Sequence, residues 1–173
     1  YPYDPKKAKE LLKAAGYPNG FELPMPNMAF ANATLSTFIT QYLKEIGVTV
    51  KWQDVSPANF VGELRSGKYP ASWFQLFQGS PWEAMQQMIT PNATWNVLKS
   101  TDPEITAVLN KIAENPNSLK AQSKVINQLV TKKAWFVPFF RLPQQFFVNS
   151  HVNVTPQPQN AVPYLYNYSP SGK

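Results

Sequence analysis

Helical and extended patterns alternate along the first half of the chain. Apolar residues recur every three or four positions, as on one face of a helix, and glycines close these stretches at Gly16, Gly47 and Gly67. A short run typical of a strand follows each glycine, at residues 21–23, 48–52 and 72–77. This order, with a helix-length crossover between strands, predicts an α/β fold on a parallel, helix-covered sheet.

Two prolines follow the first strand-like run. Pro24 and Pro26 have no N–H to donate to a neighbouring strand. We therefore expect this strand to end early or to lie at the edge of its sheet.

The second half of the chain is predicted to open with helices and to end irregularly. Asp102-Pro103 and Ser118 open two apolar-striped helices, which a turn at residues 114–117 joins into an antiparallel hairpin. Residues 135–140 and 145–148 have the apolar character of strands. The remainder is rich in Pro, Asn and Tyr, so we expect a lobe over residues 1–150 and an irregular tail over residues 151–173.

Composition and charge narrow the classes of function. The chain has no cysteine, which excludes thiol catalysis and cysteine-based zinc sites. Its net charge is +6, but the lysines are scattered, and a basic patch interleaved with aromatics, as nucleic-acid binding requires, is missing. Aromatic residues make up 14%, which suits either a ligand-stacking surface or an aromatic core. No apolar run reaches the roughly 18 residues of a membrane span.

The sequence offers no assembled catalytic set. Its one histidine, His151, has no carboxylate cluster around it, and nucleophile-elbow, zinc-protease and phosphate-loop motifs are missing. We therefore expect a non-enzyme with no cofactor and no metal site. A glycan-active enzyme stays open as an alternative, because folding can bring distant carboxylates together.

A long opening segment carries a resemblance to a known family. Residues 3–21, which read YDPKKAKELLKAAGYPNGF, resemble the start of the C-terminal lobe of family-five extracellular solute-binding proteins. The similarity continues in residues 44–48, in the turn at residues 66–69, in the helices after Asp102-Pro103 and in residues 135–140. This family serves ABC importers of peptides, dipeptides and nickel.

The resemblance implies both an architecture and a role. It implies one lobe of a two-lobed protein, a three-layer α/β/α sandwich with a mixed sheet of the type II periplasmic-binding-protein kind, with the N-terminal lobe outside this sequence. The implied role is to capture an oligopeptide or similar solute by lobe closure and to deliver it to a membrane permease. The expected setting is extracytoplasmic, periplasmic or as a lipoprotein, and the expected state is a monomer. A ligand-sensing module of a regulator is the alternative.

The resemblance also points to candidate solute contacts. In the family, the strand after the third helix runs into a loop that faces the solute, and peptide binders often carry an aspartate there for the peptide amino terminus. Residues 75–82 read QLFQGSPW, without aspartate, which favours a neutral or amide-rich solute. Burial in the core is the alternative for Trp95, and a structural salt bridge for Arg141. The candidate ligand-binding residues are Gln78, Ser80, Trp82, Trp95, Asn96 and Arg141.

Overall fold

The computed structural model describes residues 1–27, 29–76, 79–139, 145, 147–157 and 162–172. The helices are α1 (Pro5–Ala14), α2 (Ala29–Glu45), α3 (Phe60–Arg65), α4 (Pro81–Met88), α5 (Pro103–Glu114) and α6 (Leu119–Lys132). The strands are β1 (Phe21–Asn27), β2 (Val48–Asp54), β3 (Val152–Val154) and β4 (Tyr168–Pro170). The chain divides into an N-terminal unit, Tyr1–Phe74, and a C-terminal unit, Gln75–Lys173.

The N-terminal unit is a helix-covered parallel strand pair. β1 and β2 run parallel, with Phe21 opposite Val48 and Asn27 opposite Asp54, and α2 is the crossover between them. One apolar face of α2, with Leu35 and Ile39, packs on the face of the strand pair that carries Met25 and Val50. The buried cluster of this unit consists of Met25, Leu35, Ile39 and Val50. Burying each such side chain contributes about 1.5–3 kcal/mol, so this face holds the unit together.

Two glycines allow the strands to start side by side. Gly20 and Gly47 immediately precede β1 and β2, and both have positive φ, 74° and 90°. A Cβ on Gly20 would lie 1.8 Å from the Gly47 carbonyl oxygen. Only glycine permits this approach, so the residue that ends the loop after α1 also sets the spacing of the strand pair.

Two contacts of the Tyr3 side chain join the start of the chain to α2. The Tyr3 hydroxyl donates to the Glu45 carboxylate, and the Tyr3 ring meets the Tyr42 ring edge-on at 5.7 Å. The hydrogen bond to Glu45 raises the pKa of Tyr3 to about 12. These contacts position α1, which has no buried residue of its own.

The predicted third strand is not formed in the part that the structure describes. Residues 72–76 pair with no strand, and Phe77 lies outside the described residues. The ring of Trp73 packs on the β1–β2 cluster, whereas Phe74 is 39% exposed and contacts Phe60. β1 is longer than predicted, but Pro24 and Pro26 lack N–H groups, so β1 has few donors to offer a further neighbour.

The C-terminal unit has a helical core. α5 and α6 form the predicted hairpin through a 3-10 turn, Pro116–Ser118, and α4 packs against α6. Ile105 and Ile126 are 1% and 2% exposed. The buried cluster consists of Met85, Ile89, Ile105, Val108, Ile112, Ile126 and Val130.

An ion pair fastens the two ends of this hairpin. Asp102 caps α5 by accepting from the backbone N–H groups of Glu104 and Ile105, at 2.9 and 3.2 Å. Lys133, just after α6, donates to the same carboxylate at 2.6 Å. The hydrogen bond from Lys133 is the main reason that the pKa of Asp102 is lowered, and the same bond raises the pKa of Lys133.

The end of the chain differs from the sequence-based expectation. Residues 135–139 and 147–148 form no strand, and Val137 is 72% exposed. The region that we expected to be irregular instead contains the antiparallel pair β3–β4, with Val152 opposite Pro170. A strand requires a partner as well as apolar residues. Val152–Val154 pairs with β4, whereas the described residues 135–139 pair with no strand.

None of the helices among the described residues is long and apolar enough to cross a membrane.

Candidate ligand-binding site

The loop before α4 is built to start a helix and to place a tryptophan in its first turn. Ser80 is the N-cap, and its hydroxyl accepts from the Glu83 N–H at 3.2 Å. Pro81 follows at the first helical position, where its missing N–H costs nothing. Trp82 therefore lies in the first turn of α4, and the Ser80 oxygen already serves the helix.

Trp82 forms one wall of an apolar groove, which we call the Trp82 groove. Its volume is about 350 Å³. The other walls come from the end of α5, the turn after it and the start of α6, and the lining residues are Trp82, Ile112, Ala113, Pro116 and Leu119. None of these side chains is charged. Trp82 is 36% exposed, so its ring is available to an apolar group from solution.

Asn96 is buried and organises the loop after α4. Its amide nitrogen donates to the carbonyls of Thr90 and Ser100, at 3.2 and 2.8 Å, and its amide oxygen accepts from the Ser100 N–H at 2.8 Å. Both ends of the amide are thus used within the chain. The half-buried Trp95 is tied to α4 by its backbone N–H, which donates to the Gln87 carbonyl at 2.9 Å.

Four of the six predicted contacts thus lie on one local substructure, α4 and the loop that follows it. Ser80 and Asn96 have structural hydrogen bonds there, and Trp82 is the one that lines a groove. Gln78 and Arg141 lie outside the described residues. Solute contact by any of the six stays a prediction.

Two features of the site were not predicted from the sequence. The groove walls on α5 and α6 were interpreted only as helix stripes, although Pro116 and Leu119 extend the apolar surface into the turn. A carboxylate also lies beside the loop: a Cβ on Gly79 would meet the Glu83 Oε2 at 2.5 Å. Glu83 lies one position beyond the segment 75–82 that the resemblance assigns to the solute.

A second groove lies in the N-terminal unit, beside α2 and the carboxyl ends of β1 and β2. We call it the α2 groove; its volume is about 500 Å³. The helix contributes a row of polar side chains, Ser36, Thr37, Thr40, Gln41 and Lys44, and the strands contribute Asn27 and Trp52. Its lining is therefore richer in hydrogen-bonding groups than that of the Trp82 groove.

The described residues contain no group of three or more His, Asp or Glu side chains that could hold a metal ion. His151 is exposed, and its backbone N–H donates to the Asn149 side chain at 2.9 Å.

Comparison with known proteins gives a consistent picture. Residues 1–97 match the family model of bacterial extracellular solute-binding proteins, family 5, middle region. The matched segment contains the whole N-terminal unit, α4 and the loop with Trp95 and Asn96.

Similar proteins include binding proteins for different solutes. The chain is 38% identical over 78 residues to heme-binding protein A of Haemophilus influenzae, covering 39% of this chain and 14% of that protein. It is 28% identical over 148 residues to the glutathione-binding protein GsiB of Pectobacterium atrosepticum, covering 78% and 27%. The matches thus span about a quarter or less of the length of these relatives.

A solved structure shares the fold. The ABC transporter-associated periplasmic binding protein DppA of Helicobacter pylori, in complex with the peptide STSA, aligns with a TM-score of 0.67 and 24% identity, covering 78% of this chain and 28% of that one. Neighbours of this kind are type II periplasmic binding proteins, which confirms the predicted α/β fold class.

Proposed function

The chain belongs to the bacterial extracellular solute-binding proteins of family 5, and from that premise we propose that it is part of the solute-binding component of an ABC importer. The observation that carries the proposal is the family match over residues 1–97, which is more than half of the chain. Its relatives of known name are binding proteins, which supports capture rather than chemical conversion of the solute.

The proposed mechanism is capture between two lobes. Residues 1–150 form one lobe. The other lobe belongs to a longer protein, of the length seen in the relatives. A solute that contacts both lobes stabilises the closed form, because only that form makes both sets of contacts. A membrane permease recognises the closed, monomeric protein outside the cytoplasm, where the protein is periplasmic or anchored as a lipoprotein.

The proposed solute is an oligopeptide or a similar molecule with an apolar side chain. The Trp82 groove supports this choice, because it is uncharged and is large enough for such a group. An apolar group that enters it loses contact with water and packs on an aromatic ring, and both changes favour binding. The sequence-based hypothesis adds neutral hydrogen-bonding groups from Gln78 and Ser80; the Ser80 hydroxyl accepts from the Glu83 N–H and keeps its own proton to donate.

A single residue could decide whether the site favours a peptide with a charged amino terminus. The loop itself has no aspartate, so the neutral-solute hypothesis predicts little difference between a free and an acetylated peptide. The Glu83 carboxylate beside Gly79 is an acidic group that could provide such a difference locally.

Titration calorimetry on the full-length protein tests these points. Matched free and N-acetylated peptides such as Ser-Thr-Leu-Ala should bind within about threefold of each other, in the wild type and in Glu83→Gln alike. A strong preference for the free amine that Glu83→Gln abolishes would reject the neutral-solute hypothesis and assign the ammonium to Glu83. Cleavage of the peptide, or failure of peptides, glutathione and heme alike to bind, would contradict the proposed function.

A further inference from the structure

The α2 groove shares no lining residue with the Trp82 groove proposed for the imported solute. One wall is the flank of α2 next to its buried stripe, and the other is the carboxyl end of the parallel pair β1–β2. Clefts at the carboxyl ends of parallel strands are recurrent places for small ligands in α/β proteins. Its volume of about 500 Å³ is within the range of roughly 300–1,000 Å³ typical of ligand pockets.

The hydrogen-bonding groups of this groove are only partly used within the chain. Thr40 is fully engaged, since its hydroxyl donates to the Ser36 carbonyl at 2.9 Å and accepts from the Trp52 indole N–H at 2.8 Å. The Ser36 hydroxyl is shielded from solvent and has no hydrogen-bond partner in the described part of the chain. Gln41 is exposed, and its amide makes no hydrogen bond to any described residue. The Ser36 hydroxyl is closed to a ligand, so the groove offers the exposed Thr37 hydroxyl and the Gln41 amide to an incoming molecule.

The strand side of the groove adds an aromatic surface. Trp52 is half-buried, and Thr40 already accepts its indole N–H. Because its N–H is already used, the indole can offer a ligand only the carbon surface of its ring. A ring with polar groups at its edge and C–H groups on its faces matches this combination of an aromatic surface with hydroxyl and amide groups.

The charges around the groove favour a neutral molecule. Lys44 lines one end and repels cations. At the strand end, the Asp54 carboxylate accepts from the Asn27 side-chain amide at 2.6 Å and repels anions. No acidic side chain lines the groove itself.

We propose that the α2 groove is a second binding site, with no lining residue in common with the Trp82 groove, and that its ligand is a neutral sugar ring. The ring packs on Trp52, and its hydroxyl groups bond to Thr37 and Gln41. Thr37, which also lines the groove, keeps acceptor capacity because its hydroxyl donates only one bond, to the Ala33 carbonyl at 3.3 Å. The groove is open to solvent, so we expect affinity in the millimolar range, about 1 mM.

Saturation-transfer NMR with methyl α-D-glucopyranoside and the full chain tests this proposal. The double variant Thr37→Ala/Gln41→Ala should lower the saturation transfer by about threefold or more. The matched control is Thr131→Ala/Gln128→Ala on α6. Its threonine is also exposed and also donates to the carbonyl four residues earlier, at 2.7 Å. All four side chains are exposed, so both variants should keep the wild-type melting temperature.

A second readout locates the sugar. In a ¹H–¹⁵N spectrum, the Trp52 indole peak, assigned by its loss in Trp52→Phe, should shift on titration with the glucoside, while the Trp82 indole peak should not. Absence of saturation transfer, equal loss in the two double variants, or shifts at Trp82 in place of Trp52 would each overturn the proposal.

Discussion

The two units of this protein each place a tryptophan in a groove, but the two grooves differ in their hydrogen-bonding groups. In the N-terminal unit Leu35 and Ile39 of α2 pack on the strand pair, and the neighbouring flank of the helix lines the α2 groove with polar side chains. In the C-terminal unit the apolar stripes of α5 and α6 run past the buried cluster into the turn that joins them. Ile112 and Leu119 therefore contribute to both the core and the Trp82 groove.

The two units should therefore be sensitive to different substitutions. Both units depend on side-chain packing, but the strand pair also needs one close backbone approach, whereas the helix hairpin is also joined by an ion pair.

The largest effect is expected at the start of the strand pair. Gly20→Ala places a Cβ where the Gly47 carbonyl oxygen lies, so the two strands must separate. Gly16→Ala is the matched control, because Gly16 also has positive φ, 92°, but has open space around it. The control should cost about 1–2 kcal/mol of folding free energy, and Gly20→Ala at least about 3 kcal/mol more. Chemical denaturation measures both, and equal costs would show that the close approach is unimportant.

Substitution of Trp82 should affect mainly solute binding, and substitution of Trp73 should affect mainly the stability of the protein. Trp82→Ala should weaken solute binding by the full-length protein by about 1–3 kcal/mol with little change in melting temperature. Trp73→Ala should do the reverse, because its half-buried ring packs on the β1–β2 cluster, at a cost below the roughly 3–5 kcal/mol of a fully buried ring. Calorimetry and thermal melts on both variants check this. Loss of stability in Trp82→Ala with normal binding would reverse the assignment.

The smallest effect concerns the ion pair of the C-terminal unit. The folded-state pKa of Asp102 is depressed, so its contribution to stability is present above its ordinary value of 3.8 and is lost as pH falls through the lower folded value. Lys133→Gln removes the main cause of that depression. Wild type should therefore be more stable than Lys133→Gln at pH 6, and the difference should shrink as the pH falls below about 4. A constant difference across this range would show that the pair is not linked to protonation of Asp102.

The sequence predicted elements wherever a local pattern decides the structure. The helix α2, the glycines Gly16 and Gly47 that follow helices, and the cap at Asp102 depend on near neighbours in the sequence, and all of them are observed. The predicted strand at residues 72–77 is not formed in its described part, residues 72–76. A strand forms only beside a partner strand, and the local sequence does not reveal whether a partner is available.

The candidate site was predictable only in part, for the same reason. The family resemblance points to Trp82, but its groove is completed by Ile112 and Leu119, thirty or more positions along the chain. Asn96 shows the converse: an amide beside a tryptophan was interpreted as a ligand contact, and its hydrogen bonds serve the loop.

Native mass spectrometry of the full-length protein tests the central claim most directly. After incubation with a peptide mixture, the protein should carry one small solute per chain, and denaturation should release it chemically unchanged. Trp82→Ala should lower the bound fraction, with an affinity loss on the order of tenfold, and Trp73→Ala should retain the solute for as long as it stays folded. A protein that binds nothing from the mixture, or that releases cleaved peptide, would contradict solute capture as its function.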